Sequence, residues 1–421
     1  MFFTLDVRRA RKGDCLILHY GSKKDPGLIL IDGGPANVYK PHLKPRLAEI
    51  RTARGLDPNA ALPVDLLMVS HIDDDHIKGV LELTKELLDA KGAQKPLSLK
   101  IKGVWHNTFD DIVGNTPKEL TASITAQFGT ASISEDADID GLDRDAAKVL
   151  ASVSQGFRLR DDTRGLKLPI NPQFDGKLVL AKKKGKKTAM GKGLTFTVVG
   201  PMNEEVLQLQ EDHDAFLEKQ EEDGDDGALA VFSDTSVANL SSLVVLAEVE
   251  KKRILFTGDA RGDKVLEGLE LVGLLKADGK SKINVDILKG PHHGSDRNVE
   301  PLFFRRIVAK HYVFSGNGEH GNPERATLQM LMDERGNDDF TVHLTYPIDE
   351  IDAGRKEDWE KEQAKEKAKK AKNPKVKVRA NWSPAKNSLT AFLAANKEFA
   401  KKVIIVPEGK PHLINLLDTF E

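Results

Sequence analysis

The stretch Val69-Ser70-His71-Ile72-Asp73-Asp74-Asp75-His76-Ile77-Lys78-Gly79 decides how the rest of this chain is interpreted. The residues before it, 66–69, form a short apolar run that is typical of a buried strand. After it, apolar residues recur at helical spacing from Val80 to Leu88. We therefore predict a strand-to-helix turn that gathers acidic and imidazole side chains.

The chemistry of this turn favours a metal site. Three consecutive carboxylates in a half-buried turn repel one another, and a divalent cation offsets such repulsion. The alternative is a solvated acidic loop that caps the following helix, because negative charge is favourable at a helix N-terminus. Capping accounts for one aspartate and leaves both histidines unexplained. We expect a metal site with the ligands His71, Asp73, Asp75 and His76.

Composition limits the possible functions. The chain has 421 residues, of which 39% are hydrophobic, which is enough for a core. Its net charge of -2 gives no overall attraction to nucleic acid, so nucleic-acid binding would need a local basic face. The sequence shows neither a run of about 18 apolar residues nor a signal peptide, so we expect a cytoplasmic protein without membrane contact. The single cysteine, Cys15, excludes an intramolecular disulfide.

The turn resembles the first metal motif of the metallo-β-lactamase-fold hydrolases, which reads His-x-His-x-Asp-His in most of that superfamily. Here Asp73 stands where the second histidine usually is. The His-x-Asp-x-Asp-His version is similar to the β-lactamase-like domain of the competence protein ComEC and its stand-alone relatives. Ser70 before the motif and Gly79 after it agree with that pattern.

Two later segments extend the resemblance. Residues 239–247 and 253–260 read as paired strands, and the second ends in Thr257-Gly258-Asp259. In the ComEC-like pattern this aspartate bridges two metals. The segment 288–295 then resembles the family's Leu-Lys-x-x-His-His-Gly-Ser sequence. Neighbouring side chains of an extended segment point apart, so we assign His293 to the metal, and His292 with Ser295 to the substrate, while the order of the two histidines stays open.

Four further residues are weaker candidates. Asp32 ends a strand in Asp-Gly-Gly, as in the family, and either orients a metal ligand or makes an ordinary turn. His106 and Asn107 follow another predicted strand, 97–104, and are candidates for ligand or phosphate contact, although a lone histidine at a strand end is a weak signal. His320 lies in a segment resembling the family's Asn-x-x-Gly-His-Pro, with Gly321-Asn322 inserted before the proline, and is expected at the rim of the site.

The resemblance implies an α/β fold, the four-layered αβ/βα metallo-β-lactamase sandwich. Strands at 2–7, 15–20 and 28–32 predict an antiparallel meander at its start. We place the hydrolase domain at 1–350, with an insertion at about 108–190 that would influence substrate access. Residues 351–421 are expected to add a charged helix and paired return strands, 403–406 and 413–417, to the same domain.

Two charged segments stand out. Residues 182–187 form a basic patch, which is either a solvated hairpin tip or a phosphate-binding arm. Residues 356–372 predict an exposed helix without an apolar stripe, followed by further basic residues up to Arg379. The second segment either contacts nucleic acid or a protein partner, or is a solvated helix, because interleaved glutamates dilute its charge.

The implied activity is metal-dependent hydrolysis. Two divalent ions bridged by Asp259 would hold a hydroxide for in-line attack on an ester. Asp73 in place of a neutral histidine extends the metal preference from zinc to zinc or manganese. We prefer a phosphodiesterase or nuclease, acting on nucleic acid or another phosphate ester. The alternatives are hydrolysis of a small ester, of the phosphorylcholine esterase or lactonase type, and a role in a defence or DNA-uptake assembly. The sequence does not specify the oligomeric state.

Overall fold

The computed structural model of the protein describes residues 1–57, 59–107, 144–207 and 241–420. Its strands are β1 Phe2–Val7, β2 Leu16–Gly21, β3 Pro26–Ile31, β4 Leu62–Val64, β5 Leu66–Met68, β6 Leu99–Ile101, β7 Val104–Trp105, β8 Thr188–Gly191, β9 Leu194–Gly200, β10 Val244–Val249, β11 Lys252–Phe256, β12 Ile283–Lys289, β13 Ile307–Phe314, β14 Thr341–Leu344, β15 Val403–Ile405 and β16 His412–Asn415. Its α-helices are α1 Lys44–Ala53, α2 Asp74–Gly92, α3 Arg144–Leu166, α4 Gly262–Leu271, α5 Pro301–Arg306, α6 Arg325–Arg335, α7 Ile348–Lys372, α8 Pro384–Asn387, α9 Leu389–Ala395 and α10 Lys397–Ala400. This mixture confirms the α/β class.

Within the described residues, the first sheet has six strands in the order β16-β1-β2-β3-β5-β7. Strands β1, β2 and β3 form the predicted antiparallel meander. Strand β5 runs parallel to β3, and β7 runs parallel to β5. Because β3 and β5 are parallel, the residues that follow them lie at one edge of the sheet. The antiparallel strand β2 begins at the same edge.

The second sheet, in the part of the chain that the structure describes, has eight strands in the order β15-β14-β13-β12-β11-β10-β9-β8. Strands β8, β9, β10 and β11 pair antiparallel with one another. Strands β11 to β15 run parallel. The residues that follow β11, β12 and β13 therefore share one edge, as the residues that follow β3 and β5 do in the first sheet.

Three buried apolar clusters hold the sheets and helices together. One cluster contains residues of both sheets, including Phe3 and Phe196, so the two sheets face each other. A second joins α1 and α2 to the first sheet through residues such as Leu47 and Ile77. The third joins helices of the second half, including α6 through Leu328, to the second sheet. Helices thus cover the outer faces of both sheets.

Two predictions about strands differ from the strand pairing in the structure. The single strand expected near 97–104 is divided, since β6 pairs with β4 in a small separate sheet while β7 joins the first sheet. Lys102 N–H donates to Val64 O, whereas Gly103 O accepts from Leu67 N–H, so the chain changes partner between these residues. The return strands β15 and β16 do not pair with each other, because β15 adds to β14 and β16 adds to β1.

Part of the segment expected to be an insertion belongs to the folded core. Of 108–190, the structure describes 144–190, and residues 108–143 lie outside the described residues. Helix α3 packs along α2, where Thr84 Oγ1 donates to Asp162 Oδ2 at 2.5 Å. Leu159 and Val179 are fully buried. The basic patch 182–187 is largely exposed, and its Lys187 Nζ lies 2.8 Å from Glu248 Oε2.

The predicted charged helix is the C-terminal part of α7, which begins earlier, at Ile348. The first turns of α7 are anchored, since Ile351 is buried and Arg355 Nη1 donates to Pro323 O at 2.9 Å. Residues 367–372 are exposed. The segment after the helix folds back, and Trp382 packs edge-on against Trp359 at a centroid distance of 5.9 Å. Among the described helices, α7 included, none combines the length and apolar character that crossing a membrane requires.

Candidate metal centre

Loops from the facing edges of both sheets, together with the first turn of α2, supply the candidate site. In the first sheet, one loop precedes β2, one follows β3 and one follows β5; in the second sheet, one loop follows β11 and one follows β12. Each loop is continuous with a buried strand, which holds its polar side chains in place. The residues concerned are Asp14, Asp32, His71, Asp73, Asp75, His76, Asp259, His292 and His293.

The strand-to-helix turn forms as predicted. Helix α2 begins at Asp74, and the side chain of Asp73, at the N-cap position, makes no capping hydrogen bond. Asp73 therefore does not cap the helix through its side chain, while Asp74 and Asp75 lie in the first turn, where negative charge is favourable. The loop after β3 lies against this turn, because Gly33 N–H donates to His76 O at 2.8 Å. A Cβ atom on Gly33 would lie 2.4 Å from Val80 N, so only glycine allows this approach.

One group of ligand atoms surrounds the first oxygen of Asp259. Oδ1 of this carboxylate lies 3.1 Å from His76 Nε2 and 3.4 Å from His293 Nε2. The two Nε2 atoms are 3.3 Å apart. Asp75 completes the group, with Oδ2 at 3.6 Å from His293 Nε2 and Oδ1 at 3.9 Å from His76 Nε2. These contacts bring together four of the six predicted ligands.

A second group faces the other oxygen of Asp259. Oδ2 lies 3.7 Å from His71 Nε2 and 3.4 Å from His292 Nδ1. Asp73 Oδ2 lies 4.0 Å from His71 Nε2. Asp259 thus stands between two sets of histidine and aspartate side chains, which is the position expected of a bridging carboxylate.

The donor set fits divalent cations. His71 Nε2, Asp75 Oδ1 and Asp259 Oδ1 are buried and have no hydrogen-bond partner among the described residues. Unsatisfied buried polar atoms are costly, and a cation would satisfy all three. Tetrahedral zinc with nitrogen ligands at about 2.0–2.1 Å separates those ligands by about 3.3 Å, which is close to the spacing of the first group.

Burial and neighbouring charges shift the pKa values of three histidines in the cluster. Burial disfavours charge on His293, but Asp259 and Asp14 outweigh it and raise the pKa of His293 to about 10. Burial also disfavours charge on His76. The carboxylates of Asp259, Asp32 and Asp75 outweigh this effect and raise the pKa of His76 well above its ordinary value. Burial and the neighbouring His76 lower the pKa of His71. Without a cation, protons on two histidines offset the carboxylates, and metal binding must displace them.

Asp32 takes the orienting position considered from the sequence. Its Oδ2 lies 2.8 Å from His76 Nδ1. Its two oxygens also accept hydrogen bonds from the backbone N–H and the hydroxyl of Ser70, at 2.7 and 2.6 Å. Asp32 has a φ of 57° and Gly34 a φ of 74°, so the backbone enters the left-handed region at both residues. A carboxylate on the far nitrogen fixes the tautomer and direction of a metal-binding histidine.

Asp14 was missed in the sequence, where Lys12-Gly13-Asp14 reads as an ordinary turn. With His76, Asp259 and His293 it forms a buried group whose ligand-type atoms all lie within 4.8 Å of one another. Its backbone N–H donates to Asp75 O at 3.3 Å. A Cβ atom on Gly13 would lie 1.8 Å from that same oxygen. The signal in the sequence that could have identified Asp14 is a glycine before an aspartate, close to the start of a strand.

The remaining predicted residues lie outside these groups. Ser295 is buried and its backbone N–H donates to His292 O at 3.0 Å. His320 is exposed, with Nε2 at 3.1 Å from Lys12 Nζ. Burial lowers the pKa of His106 to about 4. Asn107 bonds through its side chain to the backbone of Val179, at 2.8 and 3.0 Å. Substrate roles for these residues stay predictions.

Comparison with known proteins adds little. No protein-family model matches the chain, and no curated protein sequence matches it. Among solved structures, a Parabacteroides distasonis protein provisionally named a metal-dependent hydrolase is similar over 80% of this chain and 97% of its own, with 8% identity and a TM-score of 0.31. An Enterococcus faecalis protein of unknown function is similar over 82% of this chain and 71% of its own, with 11% identity and a TM-score of 0.27.

Proposed function

We propose that this chain is a metal-dependent hydrolase of the metallo-β-lactamase type, with a four-layered αβ/βα sandwich and two divalent ions, and that it cleaves phosphodiesters. The position of Asp259 carries the proposal. One carboxylate oxygen faces His76 and His293, and the other faces His71 and His292, all at 3.1–3.7 Å. An arrangement around both oxygens of one carboxylate suits two cations rather than one.

The residues fall into two ligand groups. Asp75, His76 and His293 would hold one ion together with Asp259 Oδ1. His71 and Asp73 would hold the other with Asp259 Oδ2. Such ions supply an activated water nucleophile and neutralise charge that develops on the oxygens of an ester. Zinc suits the histidines, and the carboxylates also admit manganese.

The protein's own residues control access to this centre. The side chains of His71, His76 and His293 are almost fully buried, whereas that of His292 is 23% exposed. His292 is thus the histidine of the cluster that an incoming substrate can touch. Asn322 Nδ2 donates to His292 O at 3.2 Å and holds its backbone, which has a φ of 44°. We assign His292 to substrate contact.

A phosphodiester is favoured by the anionic ligand set and by the basic segments on the surface. Carboxylates bind hard cations that in turn hold phosphate oxygens. Purified protein with manganese or zinc should be assayed against linear DNA, RNA, bis(4-nitrophenyl) phosphate, a phosphorylcholine ester and a lactone. Cleavage of the phosphodiesters, lost in the His71→Ala variant, would support the proposal. Cleavage of the phosphorylcholine ester or the lactone alone would favour the small-ester alternative, and cleavage of none would refute hydrolysis.

A further inference from the structure

His76 and His293, whose Nε2 atoms meet at the candidate metal centre, are held in the same way on their other ring nitrogen. Each Nδ1 atom faces one aspartate and one serine. For His76, the pair is Asp32 with Ser70, at 2.8 and 3.2 Å. For His293, the pair is Asp14 with Ser315, at 3.4 and 3.0 Å.

The second pair forms a directed chain of hydrogen bonds. The Ser315 hydroxyl donates its hydrogen to Asp14 Oδ1, so the serine oxygen accepts the Nδ1–H of His293. This direction keeps a proton of His293 on Nδ1, so the proton that metal binding displaces is the one on Nε2, where the lone pair then remains. Nε2 is the atom that lies beside Asp259 and His76. The chain therefore selects the tautomer that a metal ligand needs.

The other oxygen of Asp14 is also engaged. Asp14 Oδ2 lies 2.9 Å from Lys289 Nζ, and both side chains are almost completely buried. Burial opposes the charge of Asp14, but Lys289 and His293 outweigh it and lower the pKa of this carboxyl well below its ordinary value. With one oxygen held by an ammonium and the other by a hydroxyl, Asp14 is better placed to orient His293 than to bind a metal itself.

We propose that Asp14 and Ser315 are positioning residues that fix the tautomer and direction of His293, and that Lys289 balances the charge of Asp14. This inference rests on the metal site of the proposed function. It has two rivals. Asp14 could be a direct metal ligand, or the Asp14–Lys289 pair could serve stability alone.

Metal affinity separates positioning from direct ligation. Zinc binding is measured by competition with a chromophoric chelator, and the absorption spectrum of the cobalt-substituted protein reports the ligand geometry. Ser315→Ala should weaken zinc binding by about 10- to 100-fold, shift the cobalt spectrum and leave the number of bound ions unchanged. Ser315→Thr keeps the hydroxyl and should restore affinity. Unchanged affinity in Ser315→Ala, with an ion lost in Asp14→Asn, would show that Asp14 is a ligand and overturn the proposal.

A charge-balanced variant separates positioning from stability. Asp14→Asn leaves Lys289 buried and unpaired, which lowers the melting temperature, and the double variant Asp14→Asn/Lys289→Met should recover it. Zinc affinity should stay low in the double variant, and its recovery would reduce the pair to a structural role. Asp65→Asn is the matched control, because it breaks a carboxylate pair with Lys192 at 2.7 Å and should leave zinc affinity unchanged. These readouts need no substrate, so failed hydrolysis would refute the proposed function without deciding this inference.

Discussion

The Nε2 atoms of His76 and His293 lie 3.3 Å apart, although 217 positions separate the two residues in the chain. Both atoms also lie within 3.4 Å of Asp259 Oδ1. Apolar packing does not require two imidazoles and a carboxylate to meet at one point in a buried site. A cation does, because each of these atoms can donate a lone pair to it.

Removal of the carboxylate between the two groups tests the bridge. We expect Asp259→Ala to lose hydrolysis and at least one of about two bound ions per chain, because both groups share this side chain. Elemental analysis after purification without chelator measures the ion content. Asp286→Asn is the control, since Asp286 pairs with Lys310 at 3.1 Å and lies on β12, before the site loop. Full metal content in Asp259→Ala would show that Asp259 is peripheral.

A methyl group added at Gly13 should displace the turn that carries two of the candidate metal ligands. Its Cβ would lie 1.8 Å from Asp75 O, so the turn that carries Asp75 and His76 must move. We expect Gly13→Ala to cost about 1–3 kcal/mol of unfolding free energy, as overpacking does, and to weaken metal binding. Gly92→Ala is the matched control, because nothing lies within 4 Å of its added Cβ. Equal melting temperatures and zinc affinities for the two variants would contradict this expectation.

Two linked histidines should make the protein sensitive to acid. His343 Nδ1 lies 2.9 Å from His412 Nε2, joining the second sheet to the first. Burial and the neighbouring His412 and His311 lower the pKa of His343 to about 3. Burial lowers the pKa of His412 to about 4. Between pH 6.5 and about 4 the unfolded chain binds more protons than the folded one, so stability falls as the pH falls.

The slope of this loss is measurable by urea unfolding at pH 4.5–7.5. Each histidine should contribute up to about 1.4 kcal/mol per pH unit in this window. His343→Gln removes one ionisable group and should flatten the slope. His320→Gln, at an exposed position, should leave it unchanged. An identical slope in wild type and His343→Gln would show that the pair does not control acid stability.

The basic end of α7 tests whether the substrate is nucleic acid. Neutralising the exposed residues Lys369, Lys370, Lys372, Lys375 and Lys377 to glutamine should weaken DNA binding and reduce its salt dependence, because fewer counterions are released. Hydrolysis of bis(4-nitrophenyl) phosphate should be unchanged, since that substrate reaches only the metal centre. Lys23→Gln/Lys24→Gln, exposed on the β2–β3 turn, is the control. Equal losses on both substrates would indicate a folding role.

The same comparison applies to the basic patch 182–187, the other candidate for holding a phosphate backbone. Lys187 is already paired with Glu248, so the residues to neutralise are Lys182, Lys183, Lys184 and Lys186. Loss of DNA binding in this variant, with α7 unchanged, would show that the phosphate backbone of DNA binds at the basic patch 182–187. If neither segment affects DNA binding, the small-ester alternative gains support.

Local patterns predicted the elements that carry the site. The apolar run before His71 and the helical spacing after Gly79 place the turn correctly, because strand and helix periodicity are local properties. The partners of the strands were not predictable in this way. The patterns of β15 and β16 specify extended structure, but the sheet that each strand joins depends on tertiary packing.

The contacts that hold His293 could not be predicted from the sequence, for the same reason. Ser315 donates to Asp14 across 301 positions, and no local pattern connects these residues. Lys289 was part of a recognised motif, but its pairing with Asp14 emerges only when β12 lies beside the loop before β2. Motifs identified the candidate ligands and Asp32, and the fold revealed the residues that hold His293.

Metal-dependent activity tests the central proposal most directly. Protein stripped by chelator and dialysed is titrated with manganese or zinc while the hydrolysis of bis(4-nitrophenyl) phosphate and the bound metal are measured together. We expect no hydrolysis without metal and a rise that saturates at about two ions per chain. Hydrolysis by the stripped protein, or binding of well under one ion per chain, would contradict the assignment of a two-metal hydrolase.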